Sequence, residues 1–250
     1  MPGADLHPVE RSRLALNDIR AILLDIEGTT TPIAFVHEVL FPYARARVHD
    51  YLRQHADDPG VRADVALLRA EYAAESPHAP DLPSWNPESY VYWLMDRDRK
   101  STGLKALQGR IWEDGYRAGA LQGKGEVYPD VRPALERWKR SGKTIAIFSS
   151  GSVQAQRNLF ANTTAGDLSP LLSGYFDTTT GPKRDADSYR KIATALHQPA
   201  NAIFFISDVS AELDAARAAG MRTALCVRGT PPSDASAADH PRIQSFAELA

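Results

Sequence analysis

Short apolar runs alternate with amphipathic stretches along the second half of the chain. From Tyr128 onward the pattern is regular. Residues 130–141 place Val131, Leu135 and Trp138 on one helical face and stop at Gly142, and residues 144–148 are a compact apolar run. The alternation continues with a helix over 153–162, a short strand near 175–177, a helix over 188–197, a strand over 202–206, a helix over 211–219 closed by Gly220, and a strand over 223–227. Strands and helices alternating at this length predict a parallel sheet with right-handed crossovers. Residues 19–25, apolar apart from Arg20, predict a buried strand of the same sheet, because a short apolar run ended by a Gly turn needs cover on both faces.

Between that opening strand and residue 125 the pattern is purely helical. Val36, Leu40, Tyr43, Val48 and Leu52 predict a helix over 35–55, broken or kinked at Pro42. Helices follow over 61–73, 88–95 and 104–118, and 75–87, with four prolines, reads as a loop, boundary or lid segment. Residues 119–125 close the insert. Residues 1–18 read as a loosely held leader, and 229–238 as a polar loop. The predicted organisation is a core of residues 1–34 and 126–250 with a helical cap of residues 35–125 inserted after the first strand.

The chain has 250 residues and a net charge of −2. It is long enough for a substantial core, and no long basic run invites nucleic acid or an anionic membrane. Its single cysteine, Cys226, lies in an apolar run and reads as structural, which fits a reducing compartment. With no secretory signal and no stretch of transmembrane length, the expected location is the cytoplasm. The modest hydrophobicity points to a monomer.

Four strand ends carry polar residues, and ligands of open α/β sheets bind off the carboxyl ends of strands. Asp25 and Glu27 end the first strand. Ser149 and Ser150 follow Phe148 ahead of a helix whose N-terminus offers backbone donors to an anion, while Ser152 reads as that helix's cap. Lys183 follows a Gly-Pro turn, and Asp208 ends the strand over 202–206. Glu212 and Asp214, in the next helix, read as structural. Converging carboxylates repel one another, so a hard divalent cation, Mg2+ rather than zinc, is the natural partner. His and Cys show no ligand spacing, and the Walker and Gly-x-Gly-x-x-Gly patterns are absent.

These four motifs, in this order, resemble those of the haloacid dehalogenase superfamily. The stretch Asp25-Ile26-Glu27-Gly28-Thr29-Thr30-Thr31-Pro32-Ile33 with Phe35 to Ala44 is similar to the enolase-phosphatases of methionine salvage. So are Leu107-Gln108-Gly109-Arg110-Ile111-Trp112, Gly115-Tyr116, Phe148 to Ser152 and Ile206 to Ala216. Glu27 is the narrowest signal, since most superfamily phosphatases carry aspartate there. The resemblance implies a haloacid dehalogenase-like, Rossmann-like three-layer α/β fold with a helical cap. It implies Asp25 as nucleophile, Glu27 as acid and base, Lys183 as charge partner, and Ser149, Ser150 and Lys183 as holders of a phosphoryl group. It further implies one Mg2+ held by Asp25, Glu27 (through its main-chain carbonyl in most of the superfamily) and Asp208. The implied substrate is the small phosphate ester 2,3-diketo-5-methylthiopentyl-1-phosphate. The base for an enolisation step is not readable. Trp85, Tyr90, Trp93 and Trp112 could wall a methylthio tail or form the insert's own core, and Lys105 and Arg110 could approach the substrate or be solvated. The rival readings are another superfamily phosphatase or phosphomutase acting on a sugar or glycolate phosphate, and a non-catalytic binding module.

Overall fold

The computed structural model describes residues 14–76, 78–79, 81–99, 101–229 and 239–249. Strand β1 (Ala21–Leu24) is followed by the helical segments α1 (Ile33–Phe35), α2 (Phe41–Arg45), α3 (Val48–Gln54), α4 (Pro59–Glu75), α5 (Pro87–Asp96) and α6 (Thr102–Arg117). The chain then runs α7 (Val131–Arg140), β2 (Thr144–Phe148), α8 (Val153–Ala161), β3 (Gly174–Phe176), α9 (Ala186–Ala195), β4 (Ile203–Ser207), α10 (Ser210–Ala218), β5 (Arg222–Cys226) and β6 (Arg242–Ile243). The strands form one parallel sheet in the order β3-β2-β1-β4-β5-β6.

Side chains alternate between the two faces of a strand, and this alternation builds three layers. Ile22, Leu24, Ile145, Ile147, Phe204 and Ile206 face one way and pack with Val131, Leu135 and Trp138 of α7 and Phe160 of α8. Ala21, Leu23, Ala146, Phe148, Ile203 and Phe205 face the other way and pack with Tyr189 and Ile192 of α9 and Leu213 and Ala216 of α10. Strand β1 is therefore apolar along its whole length, as a strand covered on both faces must be.

A third apolar cluster lies within the helical block, where Val48, Leu68, Tyr90, Val91, Leu94, Leu104, Leu107 and Ile111 bury one another. Its helices start at side-chain caps, with Asp58, Asn86 and Ser101 accepting from first-turn amides of α4, α5 and α6. Gly103 lets α6 approach α4 closely, because a Cβ there would lie 2.7 Å from Leu68 Cγ.

Three expectations need correction. The described part of the leader is not loosely held: Leu14 bridges to Leu249 and Leu16 is buried against the core. Residues 1–13 of the leader and 230–238 of the polar loop lie outside the described residues. Of the break or kink expected at Pro42, the break does not occur there. Residues Val36–Leu40 form a π-turn whose wider ring is closed by the Phe41 N–H on the Val36 carbonyl, and Pro42 sits in the first turn of α2, where its missing N–H is not needed. The break falls at Arg47 (φ −117°, ψ −8°). Strand β6, only two residues long and with no apolar run, has no counterpart among the predicted elements.

Candidate active site

Sheet order reverses at β1, whose neighbours are β2 on one side and β4 on the other. That switch point opens a crevice at the strand ends. The register aligns Leu24 with Ile147 and Ile206, so Asp25 emerges beside the ends of both neighbours, and its N–H donates to the Ile206 carbonyl at 3.0 Å. A tight turn follows. The N–H groups of Thr29, Thr30 and Thr31 all point at the Ile26 carbonyl, and Gly28 donates to the Thr31 carbonyl at 2.8 Å. Thr30 Oγ1 adds bonds to the Asp25 and Ile26 carbonyls, both at 3.2 Å. Gly28 has φ +72°, a conformation that favours glycine.

Asp25 is nearly inaccessible. Its Oδ1 accepts from the Ile26 N–H at 2.8 Å and from Lys183 Nζ at 2.7 Å. Lys183 also reaches Glu212 Oε2 at 2.6 Å, and the Ser207 hydroxyl stands between Asp25 Oδ2 (3.2 Å) and Glu212 Oε2 (3.1 Å). Burial opposes the Lys183 ammonium, but Asp25 and Glu212 outweigh it and hold its pKa above the ordinary lysine range. Burial pushes the Asp208 carboxyl up to about 6, aided by the Asp25 charge. Burial and then Asp25 likewise raise Glu212. Glu27 is exposed at the surface, yet the atoms packed around its carboxyl, and then the Asp25 charge, raise its pKa too.

At the end of β2, Ser149 is buried and anchored by its N–H to the Phe176 carbonyl at 3.2 Å, while Ser150 is exposed. The N-terminus of α8 is less free than its sequence suggests. Asp177 Oδ2 accepts from Val153 N–H at 3.0 Å and Ser152 caps Ala155 N–H at 3.2 Å. Ser152 is a cap, as expected.

Around the mouth, Lys105 of α6 and His37 of the π-turn lie close enough to Glu27 to act on its charge. Arg110 turns away, its Nε donating to the buried Asp64 at 2.6 Å. Tyr90 and Trp93 are interior to the helical block, Trp85 packs against Tyr72, and Trp112 donates from Nε1 to the Leu40 carbonyl at 2.8 Å. These aromatics belong to the insert's core. Asp214 is remote from the crevice, paired with Arg217 and His240. Glu212 is the residue that sequence reasoning undervalued: in the first turn of α10, four positions after Asp208, it faces inward onto Lys183. The inward orientation of that helix face was the signal available.

Among the described residues no three His, Cys, Asp or Glu side chains are grouped as a metal-binding cluster. The donors that approach one another here are hard oxygens, the carboxylates of Asp25 and Asp208, each close enough to act on the other's charge. Gly28 forms a cradle against Asp208, since a Cβ at residue 28 would lie 2.2 Å from Asp208 Oδ2. Asp25, Glu27, Asp208 and Glu212 crowd around the Lys183 ammonium, an excess of negative charge that a small divalent cation suits.

Residues 19–220 match the model of the haloacid dehalogenase-like hydrolases. The chain is 54% identical to an enolase-phosphatase E1 of Synechococcus elongatus, over 92% of this chain and 98% of that protein. It is 48% identical to an enolase-phosphatase E1 of Pseudomonas aeruginosa, again over 92% of this chain and 98% of that one. Among solved structures, the UTR4 protein of Saccharomyces cerevisiae superimposes with a TM-score of 0.70 at 33% identity, covering 92% of this chain and 100% of that chain. The chain therefore belongs to the enolase-phosphatases, a family of haloacid dehalogenase-like hydrolases.

Proposed function

We propose that the crevice converts 2,3-diketo-5-methylthiopentyl-1-phosphate and water into 1,2-dihydroxy-3-keto-5-methylthiopentene and phosphate, a reaction of methionine salvage. The observation that carries this reading is the pairing of a Lys183-bonded Asp25 with a Glu27 whose pKa is raised. The first carboxylate is presented as a nucleophile and the second is inclined to hold a proton. Enolisation transfers a C1 proton to the C2 oxygen, a C1=C2 double bond forming as the C2 carbonyl becomes a hydroxyl. Asp25 then attacks phosphorus, the ester P–O bond breaks, and Glu27 protonates the departing oxygen. Glu27, now ionised, takes a proton from water as that water attacks the aspartyl phosphate, and Asp25 is regenerated. Lys183 offsets charge on Asp25 and on the phosphoryl oxygens, with Ser149 and Ser150 holding those oxygens.

Mg2+ would be held by Asp25, Asp208 and the Glu27 carbonyl, and it would supply charge neutralisation and Lewis acidity. Residues 35–125 would act as the cap over residues 1–34 and 126–250, with Lys105 and His37 at its inner edge. No helix among the described residues is long and apolar enough to cross a membrane. The single cysteine, free and buried, is in keeping with a reducing compartment such as the cytoplasm, and the modest hydrophobicity with a monomer.

The test is to follow enol absorbance and phosphate release together on the diketo phosphate, with and without Mg2+, beside Asp25→Asn. The expected result is an enol followed by Mg2+-dependent phosphate, with release blocked in the variant. Hydrolysis of simple sugar phosphates with the diketo compound untouched would overturn the substrate assignment.

A further inference from the structure

The catalytic turn is held from outside by a side chain that neither the motifs nor the chemistry above assigns. Arg228, just past β5, directs Nε and Nη2 onto the Thr29 carbonyl at 3.1 and 2.9 Å. Its Nη1 donates to Asp130 Oδ2 at 2.7 Å and to the Gln244 carbonyl at 3.2 Å. The guanidinium lies over the rings of Tyr128 and Phe246, 4.4 and 4.6 Å from their centroids, and the side chain is only 8% exposed. Asp130 in turn accepts from Ser245 Oγ at 2.8 Å and Phe246 N–H at 2.6 Å.

We propose that Arg228 is a positioning residue: its guanidinium, oriented by Asp130, fixes the Thr29 carbonyl and so sets the turn that presents Asp25 and Glu27. Thr29 follows Gly28, which abuts Asp208, so a shift of this turn displaces both ends of the carboxylate group at once. The fork geometry is specific to arginine. A lysine ammonium has the charge but cannot give two bonds to one carbonyl while also reaching Asp130. With the side chain only 8% exposed, water has little access to those bonds.

The inference rests on the catalytic role of the turn, and the experiment separates the two. Arg228→Ala, Arg228→Lys, Asp130→Asn and Arg137→Ala are compared with the wild type for kcat, KM, melting temperature and amide hydrogen exchange of residues 26–31. Arg137 bonds the Phe246 and Leu249 carbonyls at 2.9 and 3.2 Å, gripping the same C-terminal segment away from the turn. A displaced reacting group loses up to about 100-fold in rate. Arg228→Ala and Arg228→Lys are expected to lose about 10-fold to 100-fold in kcat with little change in KM, Asp130→Asn less, and the turn amides to exchange faster. Added guanidinium ion should restore part of the Arg228→Ala loss. Arg137→Ala should lower the melting temperature and keep kcat. Unchanged kcat in Arg228→Ala, or an equal loss in Arg137→Ala, would overturn the proposal. Should the wild type ignore the diketo phosphate, the same series read on p-nitrophenyl phosphate, and the exchange data in any case, still decide it.

Discussion

Lys183 Nζ lies 2.7 Å from Asp25 Oδ1, a bond between the ends of two loops 158 residues apart in the chain. The lysine is shared with Glu212, so one nearly buried ammonium serves two nearly buried carboxylates. Removing it leaves both negative charges facing an incoming phosphate. Lys183→Met should lower phosphate release on the order of 10³-fold with the circular dichroism spectrum kept. Lys183→Arg should recover little, because the larger planar fork does not fit between Asp25 and Glu212. Phosphate release near the wild-type rate in Lys183→Met would remove Lys183 from the mechanism, and full activity in Lys183→Arg would show that the charge, not the shape of the ammonium, is what counts.

Glu27 is asked to give a proton and then take one. The raised pKa of this accessible carboxyl, caused by its crowded surroundings and by Asp25, suits the first task. Glu27→Gln should cut turnover of an alkyl phosphate by about 10² to 10⁴, the usual contribution of a general acid or base. An aryl ester such as p-nitrophenyl phosphate needs no proton on its leaving group. With that ester the variant should show a rapid release of one nitrophenolate per enzyme and then stall at the phosphorylated Asp25. Stopped-flow absorbance reads this directly, and steady turnover without a burst would contradict the assigned role.

Most of the core was legible in advance because its signals are local. Strand β2 coincides with the predicted run over 144–148, and Ser152 caps α8 as its place before the helical pattern implied. Asp25 and Asp208 were legible because buried parallel strands end abruptly at them, whereas Lys183, in the loop after β3, stood out only through its Gly-Pro turn and the family resemblance. What escaped depends on contacts distant in sequence. Glu212 looks like any first-turn acid until α10 is packed beside β4 and Lys183 arrives from another loop. Arg228 has the same history, for its partners Thr29, Asp130 and Gln244 come from three separate segments. Strand β6 is held by pairing with β5 rather than by its own two residues.

Gly28 has two reasons to be glycine. Its φ of +72° strains any side chain, and a Cβ would sit 2.2 Å from Asp208 Oδ2 and 2.6 Å from its Cγ. Asp208 has a short side chain at a strand end and cannot swing far. Gly28→Ala should therefore displace Asp208, weakening Mg2+ affinity at least tenfold while lowering stability by about 1 to 3 kcal/mol. Calorimetric titration with Mg2+ alone measures the first effect and thermal melting the second. Unchanged Mg2+ affinity would show that Asp208 need not sit where it does.

Asp130 links acid stability to the turn over residues 26–31, through Arg228. Burial works to raise its pKa, but bonds from Arg228, the Phe246 N–H and Ser245 outweigh it and hold the carboxyl below its ordinary 3.8. A carboxyl with a lowered folded-state pKa binds its proton more weakly in the native state than in the unfolded chain. Its stabilisation is therefore present above the unfolded value and is lost as pH falls through the folded one. The wild type should exceed Asp130→Asn in melting temperature by a constant margin from pH 7 to about 5, and that margin should shrink below about pH 4. Arg228→Ala removes the main cation from Asp130, so the wild-type advantage over that variant should shrink over the same window. A margin that persists undiminished to pH 3 would mean that the charge on Asp130 contributes nothing, and that its hydrogen bonds hold the C-terminal segment whether or not the carboxyl is ionised.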